Sequence, residues 1–268
     1  MTDSLTIAVA QFAPGEDRAE NLAAMRELAA DAVARGARLV VFPEYSSFFV
    51  DPVGSAFVEA AETREGPFIR GLAMMARELD AHIVAGMAER VDAPARFANT
   101  VVAVSAAGEV VASYRKQHLY DAFGARESDW VQAGELGEPQ TFEIDGIRIG
   151  LQTCYDLRFP EVTRTIVDAG AHLVLVPSEW VRGSLKEQHW RTLVTARAIE
   201  NTVYLAAADH TAPVGVGCSI VVDPMGVVSA DAGERPGIAV AVVERERLRQ
   251  VREVNPALTL RRYRVVPR

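Results

Sequence analysis

A short alternating stretch that runs directly into a cysteine constrains this chain more than any other feature. Ile147, Ile149, Leu151 and Thr153 alternate with Arg148, Gly150 and Gln152, and Cys154-Tyr155-Asp156 follows at once, with a helix start near Pro160-Glu161. Period-two alternation marks a strand with one apolar face. The Asp145-Gly146 pair ahead of it is a hairpin-turn signal. A thiol placed where a strand breaks into a sharp turn is held rigidly at the edge of a sheet, as a nucleophile must be. Taken alone, Cys154 reads equally as one more small buried apolar residue. The rest of the chain decides between the two.

Strands are expected at 5–11, 38–42, 83–88, 99–105, 110–114, 173–176, 203–208, 219–222, 227–230 and 238–243. Helices are expected after the N-cap Asp17 as far as Ala34, from Pro67 to Leu79, and at 161–169, 186–201 and 244–254. Strand–helix alternation argues for an α/β layered fold. The pair 99–105 and 110–114, with no helix between, adds antiparallel pairing, so the sheet is mixed. Two stretches lack periodicity: about twenty residues after Tyr45, and 117–139. A loop that long in a compact domain is usually functional. No linker or repeat interrupts the chain, so one domain over 1–268 is expected, with 255–268 as an arginine-rich tail carrying Arg261, Arg262, Arg264 and Arg268. Docking of that tail on the body or on a partner subunit is the expectation.

Three of the expected strands end in a reactive side chain: RLVVFP in Glu44, VVASYR in Lys116 and IRIGLQT in Cys154. Ligand sites in α/β sheets gather outside the carboxyl ends of strands. If the three strands share a sheet, a carboxylate, an ammonium and a thiol meet at one mouth. Glu44 can then take the thiol proton, while Lys116 and the Tyr155 N–H hold the charge that develops on a carbonyl oxygen. Composition singles out the lysine. Of the 28 basic residues only Lys116 and Lys186 are lysines. Lys116 directly follows Arg115, so a generic cation was already at hand, and an ammonium fits beside a reacting atom where a guanidinium does not.

The ordered set VVFPEY, YRKQHLYD, RESDWVQAG, LQTCYDLRFPE, LVLVPSEW, HWRTLVTARAIENTVYLAAAD and CSIVVDPMG resembles the nitrilase superfamily of carbon–nitrogen hydrolases, in particular its amidase branch. The resemblance covers about residues 5 to 243. It implies a four-layer αββα sandwich with mixed sheets, a Glu-Lys-Cys triad of Glu44, Lys116 and Cys154, and association through helices into a homodimer or higher homo-oligomer. It adds Glu127 as a second carboxylate set against the lysine and the thiol. Tyr45 and Tyr155, beside the reactive residues, and Glu179, Trp180 and Arg182, in the segment PSEWVRGS after the strand at 173–176, are the candidate substrate contacts. Asp156 and Arg158 match the motif and are expected to brace the turn as an ion pair. Glu179 stands where a small residue is expected. Facing the pocket it would repel an anionic substrate, unless Arg182 neutralises it or binds the substrate itself.

The implied activity is that of a cofactor-free amidase cleaving a small-molecule carboxamide through a cysteine thioester. An N-carbamoyl amidohydrolase, a nitrilase and a non-catalytic scaffold are the rival readings. His82, His118, His172, His189 and His210 show no metal-ligand spacing, so no metal is expected. Cys218 reads as structural. A net charge of −8 offers no basic footprint for nucleic acid or a membrane surface. No apolar run approaches the roughly 18 residues of a membrane span, the first residues do not read as a leader, and two cysteines make no disulfide framework. A soluble, cytoplasmic protein is the expectation.

Overall fold

A computed structural model describes residues 4–267. The first half of the chain runs β1 (Ser4–Gln11), α1 (Arg18–Ala34), β2 (Leu39–Val41), α2 (Ser55–Ala60), α3 (Pro67–Leu79), β3 (His82–Arg90), β4 (Phe97–Val104) and β5 (Val110–Arg115). The second half runs β6 (Thr141–Ile144), β7 (Ile147–Leu151), α4 (Pro160–Asp168), β8 (Leu173–Ser178), α5 (Lys186–Asn201), β9 (Tyr204–Asp209), β10 (Ile220–Val222), β11 (Val228–Asp231), β12 (Gly237–Glu244), α6 (Arg245–Val254) and α7 (Ala257–Leu260). The expected elements are present, most ends displaced by a residue or two. The stretch after Tyr45 holds the short helix α2, which its Phe- and Pro-rich sequence conceals. Asp17 caps α1 as expected, its carboxylate accepting from the N–H groups of Ala19 and Glu20 at 2.7 and 3.2 Å.

Two six-stranded mixed sheets face each other, in the orders β12-β1-β2-β3-β4-β5 and β11-β10-β9-β8-β7-β6. At the centre of each, three strands run parallel: β1, β2, β3 and β7, β8, β9. Alternation assigns the faces. Leu5, Ile7 and Val9 point into a core shared with Ile149, Leu151, Leu173 and Leu175 of the opposite sheet. Ala8 and Ala10 point outward, where their small side chains let Met25 and Ala29 of α1 pack closely, along with Phe68 and Leu72 of α3. Val174, Val176, Leu205 and Ala207 face Ile166 of α4 and Trp190 and Val194 of α5 on the other side. The layers are therefore αββα, as the resemblance implies.

The condition posed on the sequence, a sheet shared by all three strands, is not met. The strands that end in Glu44, Lys116 and Cys154 do not share a sheet: β2 and β5 belong to the first, β7 to the second. Two antiparallel steps, β3 to β4 and β4 to β5, return β5 to the direction of β2, so Glu44 and Lys116 emerge at the same end. Cys154 reaches them from the facing sheet. The site is built across the sandwich.

Only the start of the tail docks on the body, where Leu258 packs against the apolar cluster beside α5 and Arg261 pairs with Asp168 at the end of α4; Arg262, Tyr263 and Arg264 are exposed, and Arg268 lies outside the described residues. Among the described residues, no helix is long and apolar enough to cross a membrane.

Candidate active site

Cys154 sits at φ 44°, a left-handed conformation that costs a non-glycine residue about 1–3 kcal/mol. The surrounding turn holds it there. Thr153 and Asp156 cap each other reciprocally around a single 3₁₀ turn, and the Thr153 hydroxyl donates to Pro177 O of the next strand at 2.6 Å. The Asp156 carboxylate is fully buried and accepts from Tyr114 OH at 2.7 Å and from His118 N at 3.1 Å. The expected Asp156–Arg158 ion pair is absent: Asp156 is used up by the turn and by β5, and Arg158 swings out over aromatic rings. His118 approaches the Asp156 carboxylate and stacks on Phe159, behind the thiol.

Glu44 follows β2 on a loop that lies flat against β3. A Cβ on Gly86 would stand 2.6 Å from Glu44 Cα and from Tyr45 N, so only glycine lets the loop approach this closely. Buried His210 fixes the loop from the other side, its Nε2 2.6 Å from Glu44 O. Burial pulls this imidazole down to about 4; it is neutral, and since its partner is a carbonyl, Nε2 carries the hydrogen.

Lys116 Nζ lies 2.9 Å from Glu44 Oε1 and 2.9 Å from Glu127 Oε2, with all three side chains buried. Asn99 bridges the two carboxylates, donating to Glu44 Oε1 at 2.5 Å and to Glu127 Oε1 at 3.1 Å. Tyr45 OH and Tyr120 N donate to Glu127 at 2.9 and 2.6 Å. These donors separate the two acids. Burial pushes Glu44 up, more than Lys116 pulls it down. Burial acts upward on Glu127 too, but Lys116, the Tyr120 N–H and Asn99 outweigh it and hold the carboxylate below its usual range. Lys116 is held charged: burial opposes its charge, and Glu127 and Glu44 more than reverse that. Burial and Glu44 push the Cys154 thiol well up, so the resting group is the thiol.

A cavity of about 300 Å³ opens on these groups, and Cys154, Glu44, Lys116, Glu127, Tyr45, Tyr155, Glu179 and Trp180 all line it. Residue 179 joins the two sheets: its N–H donates to Glu44 Oε2 at 2.6 Å, and its carbonyl accepts from Cys154 Sγ at 3.4 Å. Glu179 also lines the cavity, with its carboxyl Oε1 enclosed away from solvent. Burial, then the nearby Glu44 and Asp209, push the carboxyl well above its ordinary value, which disfavours the charge that would have repelled an anion. Arg182 is a different case. Its Nε donates to Gly215 O at 2.9 Å, and Val181 takes the place on the wall.

Sequence reasoning missed two cations. Arg158 lies over the rings of Trp180, Phe123 and Tyr155 at 4.8, 5.4 and 5.9 Å. Lys186 lies over Phe123 at 3.9 Å and donates to Tyr120 OH at 2.6 Å. Both line the cavity, and among the described residues neither has a carboxylate in ion-pair reach. Burial and the Arg158 charge hold Lys186 below its ordinary value. Both lysines of the chain thus face one cavity, and the compositional signal that marked Lys116 applied equally to Lys186. Asn99 carried a signal as well, as an amide in the otherwise apolar strand FANTVVAV. Among the described residues, no cluster of His, Cys, Asp and Glu is arranged to hold a metal ion.

A thiol, a carboxylate pair and an ammonium around one cavity of an αββα sandwich define a hydrolase of carbon–nitrogen bonds. The chain belongs to the carbon-nitrogen hydrolase family, whose description matches residues 6–253, and its activity is of the amidase type. It is 38% identical, over 265 residues, to the deaminated glutathione amidase of Escherichia coli O157:H7, covering 97% of this chain and 98% of that one. The NitFhit protein of C. elegans matches with a TM-score of 0.87 at 30% identity, over 97% of this chain and 66% of that chain. A mutant amidase from Nesterenkonia sp. AN1, whose active-site cysteine bears the acetamide moiety of fluoroacetamide, matches with a TM-score of 0.79 at 29% identity, over 96% and 94% of the two chains. The resemblance of the sequence to the nitrilase superfamily is borne out.

Proposed function

We propose that the protein hydrolyses a small carboxamide to a carboxylate and ammonia through a thioester on Cys154. Glu44 takes the thiol proton as Sγ attacks the amide carbon. The oxyanion that forms is held by Lys116 Nζ, whose third N–H is left after Glu44 and Glu127, and by the Tyr155 N–H in the first turn beyond the thiol, where such groups lack intrahelical partners. The C–N bond breaks as Glu44 returns its proton to the leaving nitrogen, releasing ammonia. Glu44 then deprotonates a water that adds to the thioester carbon. The C–S bond breaks, the carboxylate leaves and the sulfur regains its proton. A raised Glu44 suits this shuttle, since a general base works best near the operating pH. Glu127, held ionised, keeps Lys116 charged and in place.

The observation that carries this reading is Lys116 Nζ at 2.9 Å from both carboxylates on a wall that Cys154 also lines. The modified cysteine of the Nesterenkonia enzyme supports the same role for Cys154. Arg158 and Lys186, without carboxylate partners among the described residues, favour an amide with a carboxylate at its far end. Glutathione that has lost its amino group keeps its carboxylates and no ammonium, so the name of the Escherichia coli relative points the same way. The test is ammonia release across carboxamides, carbamoyl compounds and nitriles, with intact-protein mass spectrometry for the acyl adduct. Turnover that survives Cys154→Ala overturns the mechanism. A homodimer joined through helices remains part of the reading, and analytical ultracentrifugation tests it.

A further inference from the structure

We propose that Glu179 determines specificity by donating its carboxylic O–H to an uncharged oxygen, carbonyl or hydroxyl, on the acyl chain of the substrate. This rests on the amidase reading above. When the leaving group is ammonia, everything else the cavity holds is acyl chain. The backbone of Glu179 is pinned between base and nucleophile, by Glu44 Oε2 at 2.6 Å and Cys154 Sγ at 3.4 Å. Its side chain therefore starts beside the reacting carbonyl and lines the cavity.

Glu179 Oε1 is shut off from solvent, the cavity included, and among the described residues it has no hydrogen-bond partner. An enclosed oxygen without a donor is costly to charge, which favours the neutral acid, and Oε2, which is not among the enclosed atoms, is the oxygen left to carry the O–H toward a ligand. The surroundings decide which form of the carboxyl waits there. Burial comes first, then Glu44 and Asp209, with only Lys116 acting the other way before Glu127 adds to the upward push. A second anion is disfavoured, so the group presents an O–H. An ammonium on the substrate is disfavoured in turn, because Arg158 and Lys186 face the same space without carboxylate partners. A neutral oxygen acceptor satisfies the acid without opposing the cations.

Two matched sets of primary amides test this with the full-length protein. One is succinamate, malamate and asparagine; the other is glutaramate, its hydroxy counterpart and glutamine. Within each set the compounds share a carboxylate and differ only in carrying hydrogen, hydroxyl or ammonium. The expected wild-type preference in kcat/KM for hydroxyl over hydrogen is about tenfold or more, since a site built to hydrogen-bond an oxygen rejects the analogue lacking it. Glu179→Gln, which keeps a donor, retains most of that ratio, and Glu179→Leu brings it close to one whatever happens to the absolute rate. Should the Leu variant turn over nothing, the ratio of its Kd values for the hydrogen and hydroxyl compounds is read instead, and it is expected to be close to one. A hydroxyl-to-hydrogen ratio unchanged by Glu179→Leu, in turnover or in binding, overturns the proposal. So does a wild-type preference for the ammonium compounds that Glu179→Leu abolishes, which would make Glu179 an anion. A wild type that hydrolyses none of the six overturns the amidase reading and this proposal with it; loss of the ratio alone leaves that reading standing.

Discussion

The chain carries two cysteines in nearly the same physical setting, and only one faces a site. Cys154 and Cys218 are both buried, both have left-handed backbone, with φ of 44° and 53°, and both belong to the apolar cluster between the second sheet and its helices. Burial raises both thiols. The difference lies in their polar company. Cys154 lies within the fields of Glu44, Lys116, Glu179 and Glu127 and opens on the cavity. Cys218 has Glu187 Oε1 at 3.8 Å and Arg191 nearby, and its backbone is tied to Gly233 O at 2.7 Å and Trp190 Nε1 at 2.9 Å. Depth and backbone strain therefore do not make a nucleophile. On the proposed mechanism, the carboxylate and the ammonium that reach Cys154 from the other sheet do.

The largest expected effect is on that contrast itself. Cys154→Ala should lower kcat/KM by on the order of 10⁴-fold or more, while Cys218→Ala should leave turnover close to wild type; comparable losses in ammonia release would erase the distinction. Removing the base should follow. Glu44→Gln should cost about 10²–10⁴-fold, slowing both thioester formation and its hydrolysis. In the wild type, kcat/KM should fall as acid protonates Glu44, at a pH above the usual carboxylate range because burial raises this group. An acid limb at an ordinary carboxylate position would mean that another group is the base.

Lys116→Arg tests whether a compact cation is needed, and a loss of about 10²–10³-fold is expected. A near-normal rate would reduce Lys116 to a generic charge. Smaller again is Arg158→Ala, which should raise KM about 10- to 100-fold for amides bearing a carboxylate and much less for neutral ones. Equal changes for the two classes would take Arg158 out of recognition. The smallest effect falls on stability: Cys218→Ala should cost about 1 kcal/mol, read as a modest drop in Tm with activity retained.

How far the sequence foretells all this depends on what a side chain must do. Glu44, Lys116 and Cys154 were legible because each ends a strand, and strand ends are written in local alternation and turn residues. The two facing sheets follow from the family resemblance, but the sheet to which each of these strands belongs does not, since nothing local in RLVVFP or IRIGLQT says which sheet a strand joins. Arg158 was misjudged for a related reason. It shares the family motif with Asp156, which is why a pair is expected, but side-chain directions in the 3₁₀ turn send one into β5 and the other over Trp180. Glu179 was noticed as an oddity of residue type, and its charge state could be read only from the acids that the fold gathers around it.

The pairing of β12 with β1 has a consequence for synthesis. All eight residues of β1 are matched, from Ser4 with Glu244 to Gln11 with Gly237, so the first sheet is bounded by a strand from the far end of the chain. At 5–20 residues per second, a ribosome takes roughly ten to forty-five seconds to travel from one to the other. During that interval β1 presents an open edge of backbone donors and acceptors, the kind that pairs with other chains. Cys154 and Lys116 have by then long been made, yet the sheet that carries Lys116 and Glu44 still lacks its border. A growing polypeptide of this kind is most exposed to association with its neighbours just before it acquires the strand that ends the risk.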